Sequence, residues 1–105
     1  MARRRIDPTR RLARAILTNA RAAGCELVPV AERSKPWNTA TFDGLRLEYT
    51  FNAVAGDALD RWLEQLPSVD FRTPGHLVAD IATASVAWST DVATVLINAL
   101  TVEER

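Results

Sequence analysis

The sequence predicts an α+β fold in which two helices pack on one face of a mainly antiparallel sheet of four to five strands. Two amphipathic helical segments and at least four strand-like segments carry this prediction, in the order α-β-β(β)-α-β-β. Each segment has one apolar face to bury, and layering helices on a sheet buries all of these faces. With 105 residues, 48% of them hydrophobic and 25% charged, the chain has the composition of one globular domain. We expect a basic arm at residues 1–7 and a single domain at residues 8–105.

The first predicted element is a helix that begins at Pro8 and ends before Gly24. Asp7 has the short acceptor side chain that N-cap positions favour, and proline at the first helical position gives up no hydrogen bond. Glycine readily adopts the left-handed conformation that ends many helices. Between these ends, apolar residues recur at helical spacing and form the stripe that faces the core; they are Leu12, Ala13, Ile16, Leu17, Ala20 and Ala23.

A strand is predicted to follow this helix at residues 25–30. Pro29 lies within it, and proline cannot donate a hydrogen bond to a neighbouring strand. We therefore expect this strand at an edge of the sheet or with a bulge. Residues 33–36 combine charged residues, serine and proline, which predicts a loop that continues into Trp37.

The strongest local pattern is that of a β-hairpin with Asp43-Gly44 as its two-residue turn. An Asp-Gly pair suits the turn whose twist matches two paired antiparallel strands. The flanking strands are predicted at residues 38–42 and 45–51. The second strand alternates apolar and polar residues, as a half-buried strand does, and Phe42 is expected on the same apolar face.

The second helix is predicted at residues 57–66, where Pro67 stops it. Trp62 belongs to its apolar stripe, so we assign this side chain to the core. A polar connection at residues 68–75 leads to a long strand at residues 77–88, which is rich in Val, Ile, Thr and Ala.

Residues 92–102 allow two interpretations. Their β-branched content favours a strand paired with the preceding one. Helical spacing is also present, with Thr90 as a possible cap, and the residues that show it are Val92, Val95, Leu96, Ala99 and Leu100. We prefer the strand.

The residue inventory disfavours several classes of function. One cysteine cannot form an internal disulfide, and one cysteine with one histidine cannot complete a structural zinc site. Cys25 is assigned to the core as a small apolar residue. The sequence has no nucleophile elbow and no phosphate-binding glycine-rich loop, so we expect no catalytic residue, metal or cofactor. No apolar run approaches the roughly 18 residues of a membrane-spanning helix, and we expect a cytoplasmic protein.

Four residues of the domain are candidate binding residues: Trp37, Arg46, His76 and Asp80. His76 stands at the start of a strand, where it either lines a site or bonds to the backbone. Asp80 interrupts an apolar strand, and strict alternation places it on the same face as Val86, where burial would require a partner. Trp37 either caps the core or meets a partner.

Charge is distributed unevenly although the chain is neutral overall. Residues 1–21 hold seven arginines and one acid, a net charge of +6, and the remainder carries −6. Three consecutive arginines before a helix N-terminus oppose the helix dipole, so helix stability does not explain them. They form either a solvated tail or a surface that binds phosphates or an anionic membrane; the arginines of this surface are Arg3, Arg4, Arg5, Arg10, Arg11 and Arg14.

These observations support three hypotheses about function, of which we prefer the first. The first is a small non-enzymatic interaction module that forms a homo-oligomer or docks on a protein partner. Residues 77–102 carry only two charges, Asp80 and Asp91, so an exposed face or edge there would seek a partner. The second is binding of nucleic acid or an anionic surface through the arginines. The third is a small-ligand or enzymatic site at the sheet around Asp80 and His76.

Overall fold

The computed structural model describes residues 7–104 and confirms the α+β fold with the predicted order of helices and strands. Within this part of the chain, no helix is both long enough and apolar enough to cross a membrane. The elements are α1 (Pro8–Ala22), β1 (Leu27–Asn38), β2 (Asp43–Val54), α2 (Asp57–Gln65), a 3₁₀ turn (Leu66–Ser68), β3 (Arg72–Thr73), β4 (His76–Ser89) and β5 (Val92–Glu103).

All five strands belong to one antiparallel sheet in the order β1-β2-β5-β4-β3. β5 lies at its centre, with β2 on one side and β4 on the other. Ala99 of β5, for example, pairs with Leu47 of β2 and with Ile81 of β4. Residues 92–102 are therefore a strand, as preferred, because neighbours on both sides satisfy their backbone hydrogen-bonding groups.

One face of the sheet, which we call the core face, carries the hydrophobic core. Alternate residues of β2 and β5 point to it and are buried, among them Tyr49 and Ile97. Ile16 of α1 and Leu59 of α2 belong to the same buried cluster, so both helices cover this face. The remaining residues of β2 and β5 form the opposite face, which we call the open face; apart from Gly44 they are exposed or half-buried.

Both ends of α1 agree with its sequence. Asp7 Oδ1 accepts a hydrogen bond from the backbone N–H of Thr9 at 3.0 Å, which caps the N-terminus. Gly24 follows the helix with a φ of +86°, the left-handed conformation that glycine adopts without strain. The Tyr49 hydroxyl donates to the Thr9 carbonyl oxygen at 2.6 Å and so attaches α1 to the sheet.

The predicted core residues of the second half are also confirmed. α2 ends at Gln65, and the chain continues through the 3₁₀ turn that contains Pro67. Trp62 is 2% exposed, and its indole Nε1 donates to Asn19 Oδ1 of α1 at 2.8 Å, which joins the two helices. Cys25 is buried, and burial raises the pKa of its thiol above the usual value.

β1 corrects the prediction for residues 25–38. The structure has one continuous strand where the sequence predicts a short strand followed by a loop at residues 33–36. The bulge predicted at Pro29 is present, between Pro29 and Ala31, and Pro36 is paired with Leu45. Both prolines are tolerated because β1 is an edge strand, whose outer side has no strand to which it must donate.

The predicted two-residue turn of the hairpin is wrong, because both of its residues belong to β2. The chain turns instead at residues 39–42. Thr39 stabilises this turn, since its Oγ1 accepts hydrogen bonds from the backbone N–H groups of Thr41 at 3.2 Å and Phe42 at 3.0 Å. Phe42 consequently lies in the turn and is 53% exposed, not on the apolar face of a strand.

Gly44 is needed for a close approach between strands. Trp37, a residue of β1 and not of a loop, pairs with Gly44, and its indole Nε1 donates to the Thr101 carbonyl oxygen at 3.1 Å. A Cβ atom at position 44 would collide with that carbonyl oxygen and lie 2.7 Å from the indole nitrogen. The glycine therefore serves packing and not the turn that its Asp-Gly context predicts.

Two bulges in β4 change which of its residues share a face. They lie between Val78 and Asp80 and between Thr83 and Ser85. Each bulge inserts one extra residue, so the alternation of side chains shifts by one position. Asp80 consequently lies on the open face, whereas Val86 points to the core face; the prediction that they share a face is wrong.

Candidate functional site

β4 presents a long unpaired edge. β3 pairs with only its first two residues, through Arg72–Leu77 and Thr73–His76. No other strand of residues 7–104 lies on that side, so residues 78–89 have free backbone groups along their outer edge. Such an edge is a template for pairing with another strand.

The opposite edge of the sheet, formed by β1, is protected by its sequence. β1 contains two prolines, a bulge and three charged side chains, which are Glu32, Arg33 and Lys35. Prolines, bulges and charges all discourage the addition of a further strand. Residues 78–89 of β4 contain no proline and a single charged residue, Asp80. The two edges therefore differ sharply in their capacity to pair.

Residues 85–89, which we call the edge segment, are the regular part of the β4 edge. They follow the second bulge and pair without interruption with residues 92–96 of β5. Val86 and Trp88 lie on the core-face side, and the other three residues lie on the open face. Trp88 is 57% exposed, Val86 is half-buried, and the small residues are exposed. The segment thus offers an uncharged, accessible and uninterrupted strand edge.

A groove of about 490 Å³ lies between α1 and β1. Arg10 and Arg14, one helical turn apart on α1, line one side, and Glu32 of β1 lines the other. Leu17 and Phe51 contribute apolar surface between them. Neither arginine forms a salt bridge with any residue that the structure describes. The groove therefore carries two exposed cations that are available to an anion.

Tyr49 also lines this groove. Its side chain is buried, and burial raises the pKa of the phenol above its usual value, with the negative charges of Glu32 and Asp7 acting in the same direction. Because the hydroxyl already donates to the Thr9 carbonyl oxygen, Tyr49 is a neutral structural donor. It attaches α1 to the sheet and is not an acid or base at neutral pH.

Arg46 and Asp80 lie in one row across the open face. Leu100 pairs with both of them, so the leucine stands between the arginine and the carboxylate. Both charged residues are exposed and line the same shallow depression, and no salt bridge joins them. Asp80 is thus a surface charge, because the first bulge turned it away from the core.

His76 begins β4 on the other side of the sheet. Its Nδ1 lies 3.5 Å from Oγ1 of the buried Thr101, and it pairs with Glu103. His76 and Asp80 therefore face opposite sides, and the structure does not bring them into one site. Trp37 and His76 do line one depression at the end of the sheet. Among the described residues, no three side chains are grouped so that they could hold a metal ion.

The arginine surface is described only in part. Arg10 and Arg14 line the groove, and Arg11 is half-buried on a neighbouring side of α1. Three members of the set lie outside the described residues: Arg3, Arg4 and Arg5.

Two features of these surfaces are not evident from the sequence. The low charge of residues 77–102 indicates an edge or face that could pair, but only the bulges identify the edge segment within it. Glu32 stands opposite α1 because β1 is one long strand, whereas the sequence predicts that its first strand stops before this residue.

These observations define a class of domain: an antiparallel sheet covered by helices on one face, with an open face and one free edge. No family model, curated protein or solved structure matches the chain. The exposed surfaces of this fold therefore carry the argument about function.

Proposed function

We propose that the chain is a small interaction module that self-associates by pairing β4 with β4 of a second copy. The edge segment carries this proposal, because it is uncharged, regular and accessible along an otherwise unpaired edge. Pairing would satisfy the free backbone groups of both copies and remove Trp88 from water. The result is one antiparallel sheet that runs through two copies.

The contrast between the two edges of the sheet supports this choice of surface. β1 carries prolines and charges, whereas the edge segment carries neither. Two identical surfaces without charge bring no like charges together, which would otherwise oppose self-association. Because strand addition buries less area than a standard interface, we expect a dimer that is weak and depends on concentration.

Replacing Trp88 with lysine is expected to weaken the dimer by at least about ten-fold, because a cation would then lie at the centre of an apolar contact. Sedimentation equilibrium over a concentration series measures the dissociation constant. Val28→Lys is the matched control, since Val28 is 60% exposed but belongs to β1. Equal weakening by both variants, or a parent chain that stays monomeric up to millimolar concentration, contradicts the proposal.

The salt dependence of the same equilibrium is a second test. An interface without charges is expected to keep its dissociation constant within about two-fold between roughly 0.05 and 0.5 M NaCl. A dimer that dissociates steeply over this range would depend on charged surfaces instead, such as Arg10 and Arg14 with an acidic region of the second copy.

A second candidate function, binding of nucleic acid or another polyanion, is favoured by the two arginines of the groove. Arg10 and Arg14 are exposed, lie one turn apart and lack a salt-bridge partner in the described chain. Arginines that are not neutralised by the protein can bind phosphates and release counterions. Residues 1–6 would add three further arginines to this surface.

For this candidate, the double variant Arg10→Ala, Arg14→Ala is expected to reduce the slope of log binding constant against log salt by about 2. Fluorescence anisotropy with a labelled single-stranded DNA measures the binding. The double variant Lys35→Ala, Arg46→Ala removes two cations from the open face and is the control for net charge. The second candidate fails if both double variants change the slope equally, or if the parent chain does not bind.

A further inference from the structure

We propose that the two-fold axis of this dimer passes through Ala87, so that each copy of residue 87 lies opposite the other. The inference rests on the proposed self-association and specifies its geometry. It assigns each residue of the edge segment a partner: Ser85 faces the partner's Ser89, Val86 faces the partner's Trp88, and the alanines face each other.

The bulges and the alternation of side chains lead to this register. Residues facing each other across an antiparallel pair point to the same side of the sheet, so Val86 and Trp88 must face residues that also lie on the core-face side. An axis at position 86 would draw the bulge next to Ser85 into the pairing, and an axis at position 88 would pair only three residues. An axis at Ala87 uses all of residues 85–89 and no bulge.

Side-chain chemistry agrees with the same register. On the core-face side, Val86 and Trp88 of one copy form a square with those of the other, in which each tryptophan lies across from a valine. Cross-strand pairs of an aromatic and a β-branched residue stabilise sheets. On the open face, only serine and alanine meet, so no bulky or charged side chain obstructs the approach.

The rest of β4 does not interfere with this arrangement. In an antiparallel pair about Ala87, the remaining parts of the two β4 strands extend in opposite directions. β3 pairs at the far end of β4, next to Leu77, and stays clear of the paired segment. Asp80 precedes the segment and faces no residue of the partner's β4, because the matching position falls beyond its end at Ser89.

Cysteine cross-linking tests the register directly. The chain carries Cys25→Ala to remove the native thiol and one new cysteine at position 85, 87 or 89. Opposed residues of an antiparallel pair have Cα atoms about 4.5–5.5 Å apart, which a disulfide can span. Ala87→Cys is therefore expected to cross-link with itself under mild oxidation by diamide about ten-fold faster than Ser85→Cys or Ser89→Cys alone. The two Ser85 positions are separated by about 14 Å along the strands.

A mixture of the Ser85→Cys and Ser89→Cys chains provides the complementary measurement, because these positions face each other only between copies. Rapid formation of the mixed disulfide, read on a non-reducing gel, is expected together with rapid Ala87→Cys cross-linking. Slow cross-linking of Ala87→Cys in a chain that sedimentation shows to be dimeric overturns the register and leaves self-association standing. A monomeric chain overturns both. Circular dichroism of each variant confirms that it is folded before oxidation.

Discussion

Replacing Trp62 with alanine is expected to lower the free energy of unfolding by about 3–5 kcal/mol. Trp62 is 2% exposed and fills the space between α2 and the sheet. The substitution leaves a cavity and also removes the donor that Asn19 accepts from, at 2.8 Å. Since small domains have free energies of unfolding of roughly 5–15 kcal/mol, such a loss would remove a large part of the stability.

Urea denaturation followed by far-UV circular dichroism measures this effect, at a concentration low enough to keep the chain monomeric. Trp88→Ala is the matched control: the same residue type is truncated, but Trp88 is 57% exposed, and a change within about 0.5 kcal/mol is expected. Comparable losses from the two variants would show that the core is not centred on Trp62.

Gly44→Ala is expected to cost about 3 kcal/mol, a large effect for a single added methyl group. The new Cβ would collide with the Thr101 carbonyl oxygen and crowd the Trp37 indole, which donates to that same oxygen. Relief requires β2 and β5 to move apart at the centre of the sheet or the indole to leave its position. Either movement breaks hydrogen bonds that the present arrangement makes.

Gly24→Ala separates this steric effect from the conformational cost of replacing a glycine. Gly24 has a φ of +86° and open space where a Cβ would lie, so its substitution is expected to cost only about 1 kcal/mol. Urea denaturation of the two alanine variants gives the comparison. A Gly44→Ala variant that loses no more stability than Gly24→Ala would mean that the strands adjust without strain.

The helices and the central strands could be predicted from local patterns because one rule decides each of them. Asp7 and Gly24 mark the ends of α1, and the apolar stripe that includes Trp62 places α2 on the core. For residues 92–102, the β-branched content pointed to the correct element although helical spacing was also present. These signals are contained within a few neighbouring residues, so they survive folding unchanged.

The remainder depended on contacts between distant parts of the chain. Gly44 looks like a turn residue, yet its role is set by the Trp37 indole and the Thr101 carbonyl, which no local pattern reveals. The face of Asp80 was predicted wrongly because a bulge is chosen by the pairing with β5 and not by β4 alone. The candidate surface follows the same division: its low charge was evident, whereas its regular segment required the register.

The central position of β5 has a consequence for how the chain folds. β1 with β2 and β4 with β5 are hairpins that can form from nearby residues, but the sheet is complete only when β2 meets β5. That contact joins groups far apart in the sequence, such as the Leu45 N–H and Thr101 Oγ1, 56 residues apart. Contacts of such high sequence separation slow folding. We therefore expect the docking of two preformed hairpins to be the slow step, with the inner edges of β2 and β5 exposed until it occurs.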